Sequence, residues 1–127
     1  MNKKIILAAL ILGAISIILG AFGAHVLKTL LAIEQLNSFE TGVRYLMYHA
    51  LFLLFVGTSN IILENEKKIP YYLTLLGTLL FSGSLFLLTT SSITGIDFRF
   101  LGPLTPIGGL LLIAAWIWIF AKILKKK

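Results

Sequence analysis

Two imidazoles, a guanidinium and a carboxylate interrupt a chain that is otherwise close to a continuous apolar sequence. His25 closes Gly20-Ala21-Phe22-Gly23-Ala24-His25 at the far end of the first hydrophobic run, and His49 lies inside the second, behind Glu40 and Arg44. Histidine titrates near neutrality, so a sheltered pair beside a carboxylate suits a proton relay. Two imidazoles from different helices also suit a haem iron or another metal. A third account is structural, each imidazole bonding a carbonyl of a neighbouring helix or loop. One of these must apply, because an ionisable group at membrane depth costs roughly 2–3 kcal/mol or more without a partner or water.

Spacing groups the candidates. Glu40 and Arg44 are four apart, in the order that supports an ion pair along a helix. Arg44 and Tyr48 share that spacing, as do Tyr45 and His49, so these residues form one broad helical face. His25 projects toward the same region if the first two apolar runs are antiparallel neighbours. The candidate polar cluster is therefore His25, Glu40, Arg44, Tyr45, Tyr48 and His49. A snorkelling arginine within an aromatic interface belt accounts for part of the same pattern. No third ligand, His-rich spacing or cofactor-attachment motif accompanies the histidines, and no metal or cofactor is expected. No serine or carboxylate sits in a nucleophile motif and there is no cysteine, so the expectation is a protein that is not an enzyme.

The elements that must position these residues are membrane spans. The chain has 127 residues, 58% of them hydrophobic, and a mean hydropathy of +0.99, far too apolar for a soluble domain. Its net charge of +6 does not point to nucleic acid, because the lysines flank the apolar runs. Four runs of membrane-crossing length occur, at 5–24, 39–63, 71–90 and 107–124. The expected fold is a single all-α domain over 1–127, an integral membrane four-helix bundle. With the N-terminus inside, Lys3, Lys4, Lys67, Lys68, Lys122 and Lys125 to Lys127 lie on the cytoplasmic side, against Lys28, Arg44 and Arg99 outside. This asymmetry predicts a multi-pass protein of the plasma (inner) membrane with both termini cytoplasmic. A cleaved signal peptide fits less well, since the first apolar core is too long.

Between the first two spans, Lys28 to Leu36 alternates leucines and Ile33 with Lys28, Thr29, Glu34 and Gln35. That spacing predicts a short interfacial amphipathic helix. Asn37-Ser38 then reads as a break, with Ser38 capping the second span.

Small residues mark close packing. Gly13, Ser16, Gly20 and Ala24 recur at helical steps along span one, and Thr74, Thr78 and Ser82 share a face of span three with Gly77 and Ser84 beside it. Such stripes serve packing within one chain or a subunit interface. Trp116 and Trp118 are expected to anchor span four near the cytoplasmic interface. Before that span, Gly102-Pro103-Leu104-Thr105-Pro106-Ile107-Gly108-Gly109 implies an ordered, sharply turned entry. Pro103, Thr105, Pro106, Gly108 and Gly109 form a candidate structural loop on the same side as His25 and Arg44, whose side chains its backbone could accept.

Together, Gly20 to His25, Arg44-Tyr45, Met47-Tyr48-His49-Ala50, Phe81-Ser82-Gly83-Ser84 and Gly102 to Gly109 with Trp116 form an ordered pattern over almost the whole chain. It resembles the small membrane proteins of domain of unknown function 423, related to eukaryotic transmembrane protein 256. The resemblance implies a four-span integral membrane protein, in bacteria an inner-membrane one, and brings no activity, substrate or catalytic residue. Leu46 stands where that family often has glutamine. The expected function is non-enzymatic, in the lipid bilayer, through homo-oligomerisation or as a small subunit of a larger membrane complex. The alternative is a transport or proton-conducting component using His25, Glu40, Arg44 and His49.

Overall fold

A computed structural model describes all residues, 1–127, and contains helices and turns but no strand. Helix α1 runs over Lys3–Leu30, its regular part, Lys3–Phe22, widening into a π-turn at Gly23–Leu27. The Asn2 side chain opens α1 by accepting from the Ile5 amide at 3.1 Å. Helix α2 spans Ile33–Thr58. A 3₁₀ turn, Glu64–Glu66, leads into α3, residues 68–89, which carries a second π-turn at Leu79–Gly83. Pro70 sits in the first turn of α3, where a missing N–H costs nothing. Short turns at Ser91–Thr94 and Arg99–Leu101 precede α4, Leu104–Leu124.

Three helical stretches, Lys3–Leu30, Glu64–Thr89 and Arg99–Leu124, are long and apolar enough to cross a membrane. Helix α2 matches them in length, its 26 residues spanning about 39 Å, but carries Glu34, Gln35, Asn37, Glu40 and Arg44 in its first half.

Residues 28–36 do not form a helix of their own. Lys28–Leu30 ends α1, Leu31 and Ala32 are extended, and Ile33 begins α2 with no side-chain cap. Asn37 and Ser38 therefore lie inside α2 rather than breaking it. Burial explains the shift: Leu27, Leu31, Leu36 and Phe39 bury together as one cluster, and holding Leu36 and Phe39 on one face requires helix through 37 and 38. The far end of α2 differs too. It stops at Thr58, because the Gly57 carbonyl turns outward to accept from the Asn2 amide at 2.8 Å and from Lys67 Nζ at 3.3 Å.

Between helices in lipid, close packing and hydrogen bonds replace hydrophobic exclusion as the source of cohesion. Helix α1 lies antiparallel on α2, with Gly13 opposite Ala50, Gly20 opposite Val43 and Gly57 opposite Ile6. Helix α3 packs on the opposite side of α2 and also against α4. Serines fasten α2 from both sides. Ser16 Oγ of α1 donates to the Val43 carbonyl at 2.9 Å, and Ser82 Oγ of α3 donates to the adjacent Gly42 carbonyl at 2.8 Å. Gly42 and Gly108 are contact points where a side chain would collide: a Cβ on Gly42 would lie 2.8 Å from the Phe86 ring, and one on Gly108 would lie 2.8 Å from the Leu80 carbonyl carbon. The core toward the Thr58 end joins all four helices through Ile5, Phe52, Leu53, Val56, Tyr71 and Ala115.

Candidate functional site

The two histidines do not meet. The register of α1 on α2 sets Gly20 opposite Val43 and Gly23 opposite Phe39, which places His25 level with about residue 38. Eleven helical residues, about 16 Å, then separate it from His49 along the pair. His25 is exposed in the π-turn, whereas His49 is 4% exposed.

Both ring nitrogens of His49 are engaged. Its Nδ1 lies 2.7 Å from the Tyr45 carbonyl one turn earlier, and Nε2 lies 2.9 Å from Trp116 Nε1 on α4. An indole N–H can only donate, so Nε2 must accept. The proton therefore resides on Nδ1, where it bonds the Tyr45 carbonyl, and the ring is neutral. A second proton on Nε2 would set two donors face to face. Nor is a lone pair left for a metal, and no group of three or more potential metal-ligating side chains occurs anywhere in the structure.

The remaining predicted residues take separate roles. Arg44 is exposed, its Nη2 donating to Thr41 Oγ1 at 3.2 Å. Glu40 is partly buried and is absent from the chain's four ion pairs, so the expected Glu40–Arg44 bridge does not form. Tyr45 and Tyr48 stack edge-on at 5.4 Å, and Tyr45 also meets Phe81 of α3 at 5.1 Å.

The entry to α4 bonds elsewhere than expected. Thr105 Oγ1 pairs with Ser84 Oγ of α3, and no hydrogen bond reaches the loop from His25 or Arg44. Pro103 precedes the helix and Pro106 sits exposed in its first turn. Gly108 is buried against the second π-turn, while Gly109 faces the Phe81 ring at ordinary contact distance. In span one, Ser16 is buried on α2, Gly13 and Gly20 face it partly buried, and Ala24 is exposed.

Trp116 is turned toward His49 and packs on Phe52 at 4.5 Å, and Trp118 alone reaches the charged turn, donating to the Glu66 carbonyl at 3.3 Å. Between α2 and α4 the backbones stay apart, and aromatic side chains cross the gap. The His49–Trp116 bridge divides it into two apolar clefts. The larger, about 770 Å³, is lined by Tyr48, Phe55 and Phe120 among others; the smaller, about 420 Å³, by Phe81, Gly109 and Ile113 among others.

The densest polar cluster lies at the opposite end, where sequence reasoning saw only flanking charge. Lys67 is 1% exposed, and its ammonium donates to Glu64 Oε1 at 2.9 Å as well as to the Gly57 carbonyl. It thus caps the negative end of α2. Glu64 also accepts from Asn2 Nδ2 at 3.0 Å, and Glu66 accepts from Lys126 Nζ at 2.8 Å and from the Leu63 amide at 2.9 Å. Parts of all four helix ends are joined through this turn. The Lys67 hydrogen bond holds the Glu64 carboxyl below the ordinary carboxylate range, and the Lys126 hydrogen bond does the same for Glu66. The sequence signal was a Glu-x-Glu-Lys turn too short to leave its lysine in water.

Comparison with known proteins adds the family. The sequence profile described as protein of unknown function (DUF423) matches residues 19–109. The chain belongs to this family. The matched segment holds His49, both π-turns and the Gly108 contact, and ends before Trp116. Among similar proteins, the UPF0382 membrane protein of Staphylococcus haemolyticus is 38% identical, over 91% of this chain and 94% of its own length. UPF0382 membrane protein YwdK of Bacillus subtilis is 38% identical over 91% and 95%, and UPF0382 inner membrane protein YgdD of Escherichia coli is 33% identical over 91% and 85%. These names state membrane residence and no activity. No solved structure matches the chain. This DUF423 member is a membrane protein.

Proposed function

We propose that the protein is a non-enzymatic four-span bundle of the plasma (inner) membrane, acting through assembly with itself or as a small subunit of a larger membrane complex. The observation that carries this reading is the use of the polar groups inside the helices. His49, Ser16, Ser82, Ser84 and Thr105 each bond another part of the same chain. They act as fasteners, which leaves recognition to the outer surface. Helix α2 is the fourth span, because α1 and α3 cover it on two sides and shelter its polar first half. Both termini are cytoplasmic, on the side of the Glu64–Lys67 turn, where most lysines gather.

Proton conduction through His25, Glu40, Arg44 and His49 draws little support from a separation of about 16 Å and an imidazole occupied at both nitrogens. Gentle detergent extraction followed by native mass spectrometry tests the assembly reading. A dimer or higher species, or a stoichiometric co-purifying membrane protein, is expected. Monomer alone at every protein-to-detergent ratio, or proton flux in proteoliposomes that His49→Phe abolishes, overturns it.

A further inference from the structure

The larger cleft between α2 and α4 begins one turn below an unpaired positive charge. Arg44, Tyr48, Leu51 and Phe55 follow one another at steps of four, three and four residues, which aligns them as a single stripe on α2. All four are exposed, and the last three line the cleft. Arg44 thus stands at its mouth. The guanidinium belongs to no ion pair, and a threonine hydroxyl is its one side-chain partner.

We propose that this cleft binds one anionic phospholipid from the leaflet nearer the N-terminal end of α2, with its phosphate on Arg44 and one acyl chain in the cleft. Charge complementarity selects the head group. A guanidinium at membrane depth extends toward the interface and takes an anionic oxygen pair through its fork of donors. Dimensions select the chain. From Arg44 to Phe55 is about 16 Å of helix, close to the roughly 15 Å of hydrocarbon in one leaflet. The lining supplies the rest: Tyr48, Phe52, Phe55, Trp116 and Phe120 present apolar ring surface, and the one imidazole there has both nitrogens bonded already. Water has no partners at that depth, so hydrocarbon fills the space.

The test uses the full chain in mild detergent, titrated with equimolar dioleoyl phosphatidylglycerol and dioleoyl phosphatidylcholine, with bound lipids counted by native mass spectrometry. Wild type should retain one phosphatidylglycerol per chain, preferred over phosphatidylcholine by at least about fivefold. Arg44→Gln should bring the two lipids to parity, and Arg44→Lys should keep the preference. Leu51→Trp, at an exposed position that tolerates bulk, should reduce retention of both lipids by filling the cleft. Arg99→Gln should change nothing. Parity in wild type overturns the proposal, as does a preference that survives Arg44→Gln, is lost in Arg44→Lys or falls equally in Arg99→Gln. So does a wild-type dimer that retains no lipid, which would mean a second copy covers the cleft.

Discussion

Trp116 Nε1 donates to His49 Nε2 across the gap between α2 and α4, at 2.9 Å. This bond settles the tautomer of a buried imidazole and joins two helices whose backbones do not pack together. It also converts the most chemically suggestive side chain of the sequence into a strut. Trp116→Phe keeps most of the ring volume but leaves the His49 acceptor without a donor, and is expected to lower stability by about 1 kcal/mol. His49→Phe with Trp116→Phe should recover part of that loss, because both polar partners are then gone. Thermal unfolding of the four proteins in one detergent gives the coupling, and strict additivity would show that the bond contributes nothing.

Gly108 and Gly109 are adjacent yet should respond oppositely to alanine. A Cβ on Gly108 would overlap the Phe81 amide and come within 2.9 Å of the Gly77 carbonyl, so α4 must move off α3. A Cβ on Gly109 meets the Phe81 ring at 3.6 Å. Gly109→Ala should be neutral or stabilising by up to about 1 kcal/mol from helix propensity. Gly108→Ala should destabilise by several times that, within the range of about 1–3 kcal/mol for overpacking. Size-exclusion recovery after heating ranks the two.

The charged turn predicts a response to acid. Glu64 and Glu66 have carboxyl pKa values below the ordinary one because lysines bond them. Their contribution to stability is complete above the unfolded carboxylate value, about 4.3, and is lost as pH falls through the lower folded values. The melting temperature should therefore decline as pH drops below about 4.5, and Glu64→Gln with Glu66→Gln should flatten the decline. An unchanged slope in the double variant would remove these carboxylates from the acid response. Lys67→Met should lower stability at neutral pH, since it strips the Gly57 carbonyl of its ammonium donor.

The absence of cysteine makes the orientation simple to test. Asn65→Cys and Ser92→Cys lie at exposed sites on opposite ends of the helices. With cytoplasmic termini, a membrane-impermeant maleimide should label Ser92→Cys in intact cells and Asn65→Cys only after lysis. The reverse pattern would invert the topology.

Hydropathy carried much of the architecture, since long apolar runs with lysine flanks need no tertiary information to be read as membrane helices. The all-helical character and the family pattern were legible for the same reason. Local rules failed at Asn37-Ser38, where poor helix formers stay helical because Leu36 and Phe39 flank them and bury together. They failed again at Lys67, which reads as interfacial charge but is turned inward by the C-terminus of α2. The proposed pairing of His25 with His49 could not be judged without the register of α1 on α2. Trp116 read as an interface anchor because nothing local reveals which way an indole turns on an apolar helix. In each case the deciding contact came from a helix distant in sequence.

The π-turn at Leu79–Gly83 sets the rotational phase of α3. Ser82 and Ser84 are two residues apart, yet one serves α2 through Gly42 and the other α4 through Thr105. One extra residue is wound into that turn, and each residue of a regular helix advances the face by about 100°. Deleting any single residue from 79 to 83 would let the backbone relax into a uniform helix and swing everything after it by that angle. Two helices would lose their partners at once, although no side chain had been made larger, smaller or more polar. Insertions and deletions inside this short window should thus be far less tolerated than in the loop at 95–98, where phase is already lost.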